Sequence, residues 1–281
     1  MTLSKEFLGA LESLCAVRRA GAVEALDPGF YPDNLGAGII AMPAATPEVG
    51  AIVDMCRAHK VSIVPHGGRT GLAGAAASVP GQLIVDLKAM NRIDELDPDT
   101  GTICVQAGAT LQQVQEACAA HNLTPGIDLS ARGSATIGGM IATNAGGMEA
   151  FRCGVMRHRV LGLEAVLPDG SLLSDMTRVG KANEGLDVKQ MLVGAEGCLG
   201  IVTGAVLKLD ALPDATSTAL VSFEHAAAAV EAFHRLQARG GLLRAEIMWR
   251  TYAETVARDI GLNDLIASFP GQVLALFEHS G

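Results

Sequence analysis

Pro65-His66-Gly67-Gly68-Arg69-Thr70-Gly71 and Gly133-Ser134-Ala135-Thr136-Ile137-Gly138-Gly139, the second running on to Thr143-Asn144-Ala145-Gly146-Gly147, decide how this chain is read. A residue without a Cβ reaches positive φ cheaply and lets several main-chain N–H groups converge on one anion. Glycine at this density points to backbone closing on a ligand, and a diphosphate suits such a cradle. Ser62-Ile63-Val64 reads as a short buried strand leading into the first loop, where Gly67, Gly68, Gly71 and Gly74 surround the cation Arg69. Taken alone, that loop reads equally as a phosphate cradle or as a structural turn over small residues. The second loop decides for the cradle, because Ser134, Thr136, Thr143 and Asn144 interleave donors among its glycines.

Outward from these loops the pattern is strand and helix in alternation. Phe7, Leu8, Leu11, Leu14 and Val17 have helical spacing, which predicts an amphipathic helix from Ser4 to Ala20. Thr46 reads as an N-cap with Pro47 at the first helical position, opening a helix to His59. Leu83–Leu87 and Thr102–Gln106 read as strands, and Thr110 caps a helix through Ala120. Val160–Leu167, Asp169-Gly170 and Ser171–Leu173 make a hairpin, so part of the sheet is antiparallel or mixed. Leu186–Leu192 reads as a short helix and Ile201–Leu209 as a strand. Leu35-Gly36-Ala37-Gly38-Ile39-Ile40-Ala41 contains a formal G-x-G-x-x-A, but turn residues precede it and Met42-Pro43 would break a following helix, so it reads as a loop entering a strand.

Beyond Pro213 the patterning restarts as strand, helix, strand, helix, strand, from Thr218–Phe223 to Val273–Phe277. This sets two domains, 1–213 and 214–281. The last strand has no closing helix, and the second domain reads as cut short with an uncovered edge.

With 281 residues, 49% hydrophobic and 18% charged, the chain has the composition of a globular protein. A net charge of −9 argues against nucleic acid as a partner. A bound phosphate must therefore be met by N–H dipoles and a few local arginines. Cys15, Cys56, Cys104, Cys118, Cys153 and Cys198 are scattered without a C-x-x-C pair, so no disulfide framework or metal site is indicated and a cytoplasmic location is expected. Charges at Lys5, Glu6, Glu12, Arg18 and Arg19 exclude a signal peptide or membrane span at the start of the chain. Arg152, Arg157 and Arg159 follow the second loop and face either phosphate or a substrate carboxylate, while His158 reads as a structural histidine. A third glycine segment, Gly194-Ala195-Glu196-Gly197-Cys198-Leu199-Gly200-Ile201-Val202-Thr203, enters a strand.

In this order and spacing the three segments resemble the vanillyl-alcohol-oxidase-like, or PCMH-type, FAD-binding oxidoreductases. The closest branch is that of D-lactate dehydrogenase, the glycolate oxidase FAD subunit and D-2-hydroxyglutarate dehydrogenase. Its pattern is P-R-G-G-x-T-G-L, G-x-x-T-I-G-G with T-N-A-G-G, R-H-x-V-L-G-L-E, and G-x-E-G-x-L-G-I. The match spans about residues 35 to 210. His66 stands where arginine is common, Arg69 where asparagine is, Cys153 where an aromatic is, and Cys198 where threonine is.

The resemblance implies an α+β fold in which two α/β subdomains clasp FAD, followed by the start of an α/β cap domain for substrate. By the same likeness, Pro65, His66, Gly67, Gly68, Arg69, Thr70 and Gly71 would wrap the diphosphate. Gly133, Ser134, Thr136, Ile137, Gly138, Gly139, Thr143, Asn144, Ala145, Gly146 and Gly147 would run beside diphosphate, ribose and flavin. Glu196, Gly197, Gly200, Ile201 and Val202 would add main-chain contacts. The implied chemistry is oxidation of a small 2-hydroxy acid by a non-covalent FAD, with an electron acceptor or companion subunit as partner and no direct membrane insertion. The family's H-x-G-D-G-N-x-H segment, which carries metal ligands and a base, has no counterpart between Met1 and Gly281, so no catalytic residue is named. Two alternatives stay open: a FAD-binding subunit completed by another chain, and a relative with different chemistry such as a UDP-acetylmuramate-pathway reductase.

Overall fold

The computed structural model describes residues 3–19, 21–181 and 183–280. The chain divides into two compact units, Met1–Gly147 with Cys153–Ala211, and Met148–Arg152 with Leu212–Gly281. The segment Met148–Arg152 thus groups with residues beyond Leu212, although the sequence places it among the first 213.

In the first unit, helix α1 (Lys5–Leu14) starts at Ser4, whose Oγ accepts from Phe7 N at 3.1 Å, and buries Phe7 and Leu11. It stops well short of the expected end. Ala16–Arg19 forms strand β1 instead, pairing antiparallel with β2 (Ile39–Met42); Ala20 lies outside the described residues. Strand pairing along the β2 edge outweighs the helical spacing of Val17, an override of local pattern by tertiary context. After a short helix α2 (Gly21–Glu24) and β2, the long helix α3 (Thr46–His59) buries Val49, Ile52, Val53 and Cys56 on one stripe. Its N-cap is Ala45 and not Thr46, whose hydroxyl donates to Glu164 Oε1 at 2.6 Å. Strands β3 (Ile63–His66) and β4 (Leu83–Asp86) complete a four-stranded sheet of order β1-β2-β4-β3, parallel except at β1.

The next elements are β5 (Ile93–Asp97), β6 (Thr102–Gln106), α4 (Leu111–Ala119), β7 (Leu123–Thr124), α5 (Ile137–Ala142), α6 (Ala150–Cys153), α7 (Met156–Arg159), β8 (Val160–Val166), β9 (Leu172–Asp175), β10 (Ile201–Lys208) and β11 (Asp210–Ala211). Thr110 and Gln113 form a capping box on α4. The expected hairpin is the β8–β9 pair, turned by Asp169-Gly170 with φ 86° at the glycine. It belongs to a five-stranded antiparallel sheet, β5-β6-β10-β8-β9. One hydrophobic core joins both sheets, with Ile52, Leu83, Ile103, Val114, Ile141, Leu163 and Ala205 all at 0% exposure.

The second unit carries β12 (Thr216–Phe223), α8 (Ala226–Arg239), β13 (Leu242–Trp249), α9 (Arg250–Ile260), α10 (Asn263–Ala267) and β14 (Val273–Ser280). Its sheet order is β12-β14-β13. The last strand is therefore not an edge: it is the central one, hydrogen-bonded on both sides, and among the described residues the sheet's edges are β12 and β13. Val273, Ala275 and Phe277 form its core with Ala229 of α8 and Leu242. Beside that core, Glu149 is buried between two arginines, Arg152 at 2.8 Å and Arg244 at 3.0 Å, and Arg244 also reaches Glu278 at 3.2 Å.

Candidate functional site

The three glycine segments meet at a single cavity of about 440 Å³ within the first unit, a size inside the range of about 300–1,000 Å³ usual for cofactor and ligand sites. Pro65 through Gly71 line it without a gap. Thr136, Gly138, Gly139, Thr143 and Ala145 form a second wall, and Glu196, Gly197, Gly200, Ile201 and Val202 a third. Because β3 runs parallel to β4, with His66 opposite Asp86, the first loop leaves the sheet at its carboxyl end, the usual place for a ligand in an open α/β sheet.

Among the described residues, the main-chain N–H groups of Gly68, Arg69, Thr70 and Gly71 find no acceptor in the protein. Main-chain donors are ordinarily paired. Four in succession along one cavity wall suit the oxygens of a phosphate group, and this is the feature by which the residues present fit a dinucleotide.

Arg69 does not add its charge to that wall. Its guanidinium turns into the body, where Nη1 donates to Asp86 Oδ2 at 2.9 Å and Nε to the Asp27 carbonyl at 3.1 Å. Both charged side chains are less than a tenth exposed. The backbone holds φ 57° at Arg69 to allow this turn, so the cation expected for a phosphate instead anchors the loop. His66 is anchored too: it is 1% exposed, with Nε2 2.8 Å from the Ala76 carbonyl. Burial pushes its pKa down to about 4, against a hydrogen bond to Ala76 that opposes the shift and with Arg69 helping it. The ring is neutral near pH 7.

The second loop packs more than it lines. A Cβ on Gly68 would stand 2.0 Å from the Ser134 carbonyl, and one on Gly67 2.3 Å from Thr136 Oγ1. A Cβ on Gly138 would stand 2.7 Å from that of Ala107, and one on Gly147 2.0 Å from the Asp128 carbonyl. These glycines let chain approach chain. Gly133, Ser134, Ile137, Asn144, Gly146 and Gly147 fall outside the cavity wall; Ile137 is core, and Asn144 Oδ1 accepts from Arg157 N at 2.9 Å. Thr136 caps α5 by accepting from Gly139 N at 3.3 Å.

The basic residues after that loop are spent on structure. Arg157 donates to the Gln190 carbonyl at 2.8 Å, and Arg159 pairs with Asp210 at 2.8 Å while 3% exposed. Arg152 is held by Glu149, and His158 Nδ1 accepts from Val155 N at 3.1 Å. Cys153 is buried near Asp210, away from the cavity wall. Wall residues that motif reading passes over are Leu72, Ala73, Ala75, Ala76 and Leu87, together with Leu129-Ser130-Ala131 and Ala135, Met140 and Ala142. The one signal for the first group is the run of small residues that continues the loop to Ala77.

Residues 37–175 match the family model described as FAD binding domain. A mitochondrial D-2-hydroxyglutarate dehydrogenase of Bos taurus is 31% identical over 285 residues, covering 99% of this chain and 52% of that protein. A D-2-hydroxyglutarate–pyruvate transhydrogenase of Saccharomyces cerevisiae is 35% identical over 187 residues, 66% of this chain and 38% of that protein. The chain thus spans about half, or less, of the length of these relatives. The solved structure of an alkyldihydroxyacetonephosphate synthase superposes with a TM-score of 0.82 at 21% identity, covering 100% of this chain and 56% of that one. A Phl p 4 variant described as a glucose dehydrogenase superposes at 0.74 with 18% identity, covering 99% and 55%. The last two likenesses show the fold.

Proposed function

We propose that this chain, which carries an FAD binding domain over residues 37–175, is the flavin-holding part of an oxidoreductase that oxidises a 2-hydroxy acid of the D-lactate, glycolate or D-2-hydroxyglutarate type. The observation that carries the reading is the row of unpartnered N–H groups from Gly68 to Gly71 along the cavity. When bound, FAD supplies the hydride acceptor, which no amino-acid side chain provides.

The chain's own residues bind and orient. Main-chain donors of the first loop take the diphosphate, Thr136, Gly138, Gly139, Thr143 and Ala145 shape the second wall, and Glu196 to Val202 close the third. Anchoring by Arg69 and His66 keeps the donors aimed before the cofactor arrives, so little ordering cost is left for binding. Substrate oxidation also needs a cation for the carboxylate and an acceptor for the hydroxyl proton. Arg69 is committed to Asp86 and His66 is buried and neutral, and we assign neither role within this cavity. That commitment favours a second reading, in which the chain holds FAD and another chain completes the active site.

The test is anaerobic. Purified chain is loaded with FAD and mixed with D-lactate, glycolate or D-2-hydroxyglutarate while the flavin absorbance is followed. Bleaching by one of these acids supports the first reading, and stable yellow colour with all three favours the second. Failure to retain FAD overturns both. Acid precipitation of the loaded chain should release all of the flavin, because Cys153 does not line the cavity.

A further inference from the structure

We propose that His66 is a positioning residue for the cofactor: its uncharged ring clasps the Ala76 carbonyl, closes the loop 67–76 along the cavity, and makes flavin retention sensitive to acid. The proposal rests on the FAD reading above. The geometry begins with the ends of the loop. His66 is the last residue of β3, in register with Asp86 of β4, so the sheet fixes its backbone. Ten residues on, Ala76 has its carbonyl 2.8 Å from His66 Nε2, and everything between, except Gly74, lines the cavity. One side chain thus ties the far end of the loop to the sheet from which it departs.

The contact fixes the tautomer. A carbonyl only accepts, so Nε2 carries the proton and Nδ1 is left with its lone pair. Nδ1 is buried and without a partner. A second proton there would create a buried cation whose charged neighbours are Arg69 on the loop, Asp86 at the end of β4 and Lys88 just after it. Two of these three repel it, and Asp86 is already engaged by Arg69.

The sign follows. With the loop closed the ring takes a proton at about 4, against an ordinary 6.5 for a ring in water. Opening the loop therefore takes up a proton between those values. Falling pH through that window favours the open loop, by up to about tenfold per pH unit.

The experiment compares the wild-type chain with His66→Gln and His66→Leu. Glutamine can place an amide N–H near the position of Nε2 without titrating; leucine fills space and leaves the carbonyl unpaired. FAD affinity is read by flavin fluorescence between pH 8 and pH 4.5, and without FAD amide hydrogen exchange is read at Ala77 and Ser78, whose N–H groups, just past the clasp, donate to the carbonyls of Gly74 at 3.0 Å and Asp33 at 2.8 Å. Expected at pH 8 is a loss of about tenfold in affinity for His66→Leu, little loss for His66→Gln, and faster exchange at Ala77 and Ser78 in His66→Leu alone. Expected in acid is weakening of the wild type, with His66→Gln much less affected. Equal affinity and equal exchange for Gln and Leu would overturn the clasp, as would identical pH profiles for wild type and His66→Gln. If the wild type takes up no FAD, the FAD reading fails by itself, and the exchange measurement still decides whether His66 closes the loop.

Discussion

The two glycine loops look alike as sequence and differ in whether their main-chain donors are already paired. In the first, the N–H groups from Gly68 to Gly71 have no partner among the described residues, and a Cβ on Gly71 would meet nothing within 4 Å. In the second, Gly138 lies against Ala107 and Gly147 against the Asp128 carbonyl, and both N–H groups of Ile137 and Gly138 are already bonded to Ala109 and Ala107. One loop leaves its donors for a ligand. The other spends its missing side chains on holding the wall in place. Glycine density therefore has two physical causes, close approach of chain to ligand and close approach of chain to chain, and the hydrogen-bond partners of the N–H groups separate them.

The largest effect that tests this division is expected at the seam between the loops. In Gly68→Val the new Cβ would stand 2.0 Å from the Ser134 carbonyl and 2.7 Å from its carbon, and backbone atoms cannot yield as a flexible side chain does. Destabilisation above about 4 kcal/mol is expected, which lies in the range reserved for a defined structural failure. Circular dichroism should therefore show loss of cooperative folding together with loss of flavin. A stable, well-folded Gly68→Val that merely fails to bind FAD would show that the seam is looser than this packing requires, and that the glycine serves the ligand.

Next in size is the anchor beneath the first loop. Asp86→Asn removes the negative partner of a guanidinium that has almost no access to water, and stranding one charge of a buried pair costs about 3–5 kcal/mol. Asparagine keeps an acceptor oxygen, so the lower end is expected. The measurement is the urea midpoint at constant slope. The paired change Arg69→Met with Asp86→Leu should recover part of the loss, because it removes both desolvated charges but leaves Lys88 N, which donates to Asp86 Oδ1 at 2.9 Å, without that acceptor. A cost below about 1 kcal/mol for Asp86→Asn, a value typical of exposed pairs, would place Arg69 in solvent and reopen its role as a phosphate cation.

These outcomes bear on how much was legible beforehand. The glycine loops, the strand before them, the Asp169-Gly170 hairpin and the strand–helix order after Pro213 are all local patterns, and local patterns survive in the fold. What escaped reading is non-local. Arg69 lies among glycines and reads as a ligand cation, but Asp86, 17 residues on, claims it through the parallel pairing of β3 with β4. Ala16–Arg19 has helical spacing, yet the β2 edge takes it as a strand. Val273–Ser280 comes last in the sequence and sits in the middle of its sheet, because order along the chain does not set order across the strands. Of the residues that line the cavity, Pro65 to Gly71 and Glu196, Gly197, Gly200, Ile201 and Val202 were readable from motif spacing. The wall formed by Leu129-Ser130-Ala131 was not, since it arrives through the packing of the segment after β7 and carries no motif.

The smallest expected effect is the most discriminating. Gly71 has no contact that a Cβ would disturb, and its φ lies outside the positive range that L residues avoid. Gly71→Ala should accordingly fold as the parent does, within about 0.5 kcal/mol. Its neighbours on the loop are the unpartnered donors, so a methyl group at this point stands where a phosphate must come close. FAD affinity should fall by about tenfold, or about 1.4 kcal/mol, with the thermal midpoint of the unloaded chain unchanged. Both numbers come from one preparation, the first by flavin fluorescence titration and the second by circular dichroism. Unchanged affinity would mean that the first loop, for all its free donors, does not touch the cofactor at Gly71. The division between the two loops would then narrow to the donors at Gly68, Arg69 and Thr70, the part of the wall that the seam with Ser134 and the Arg69 anchor hold directly.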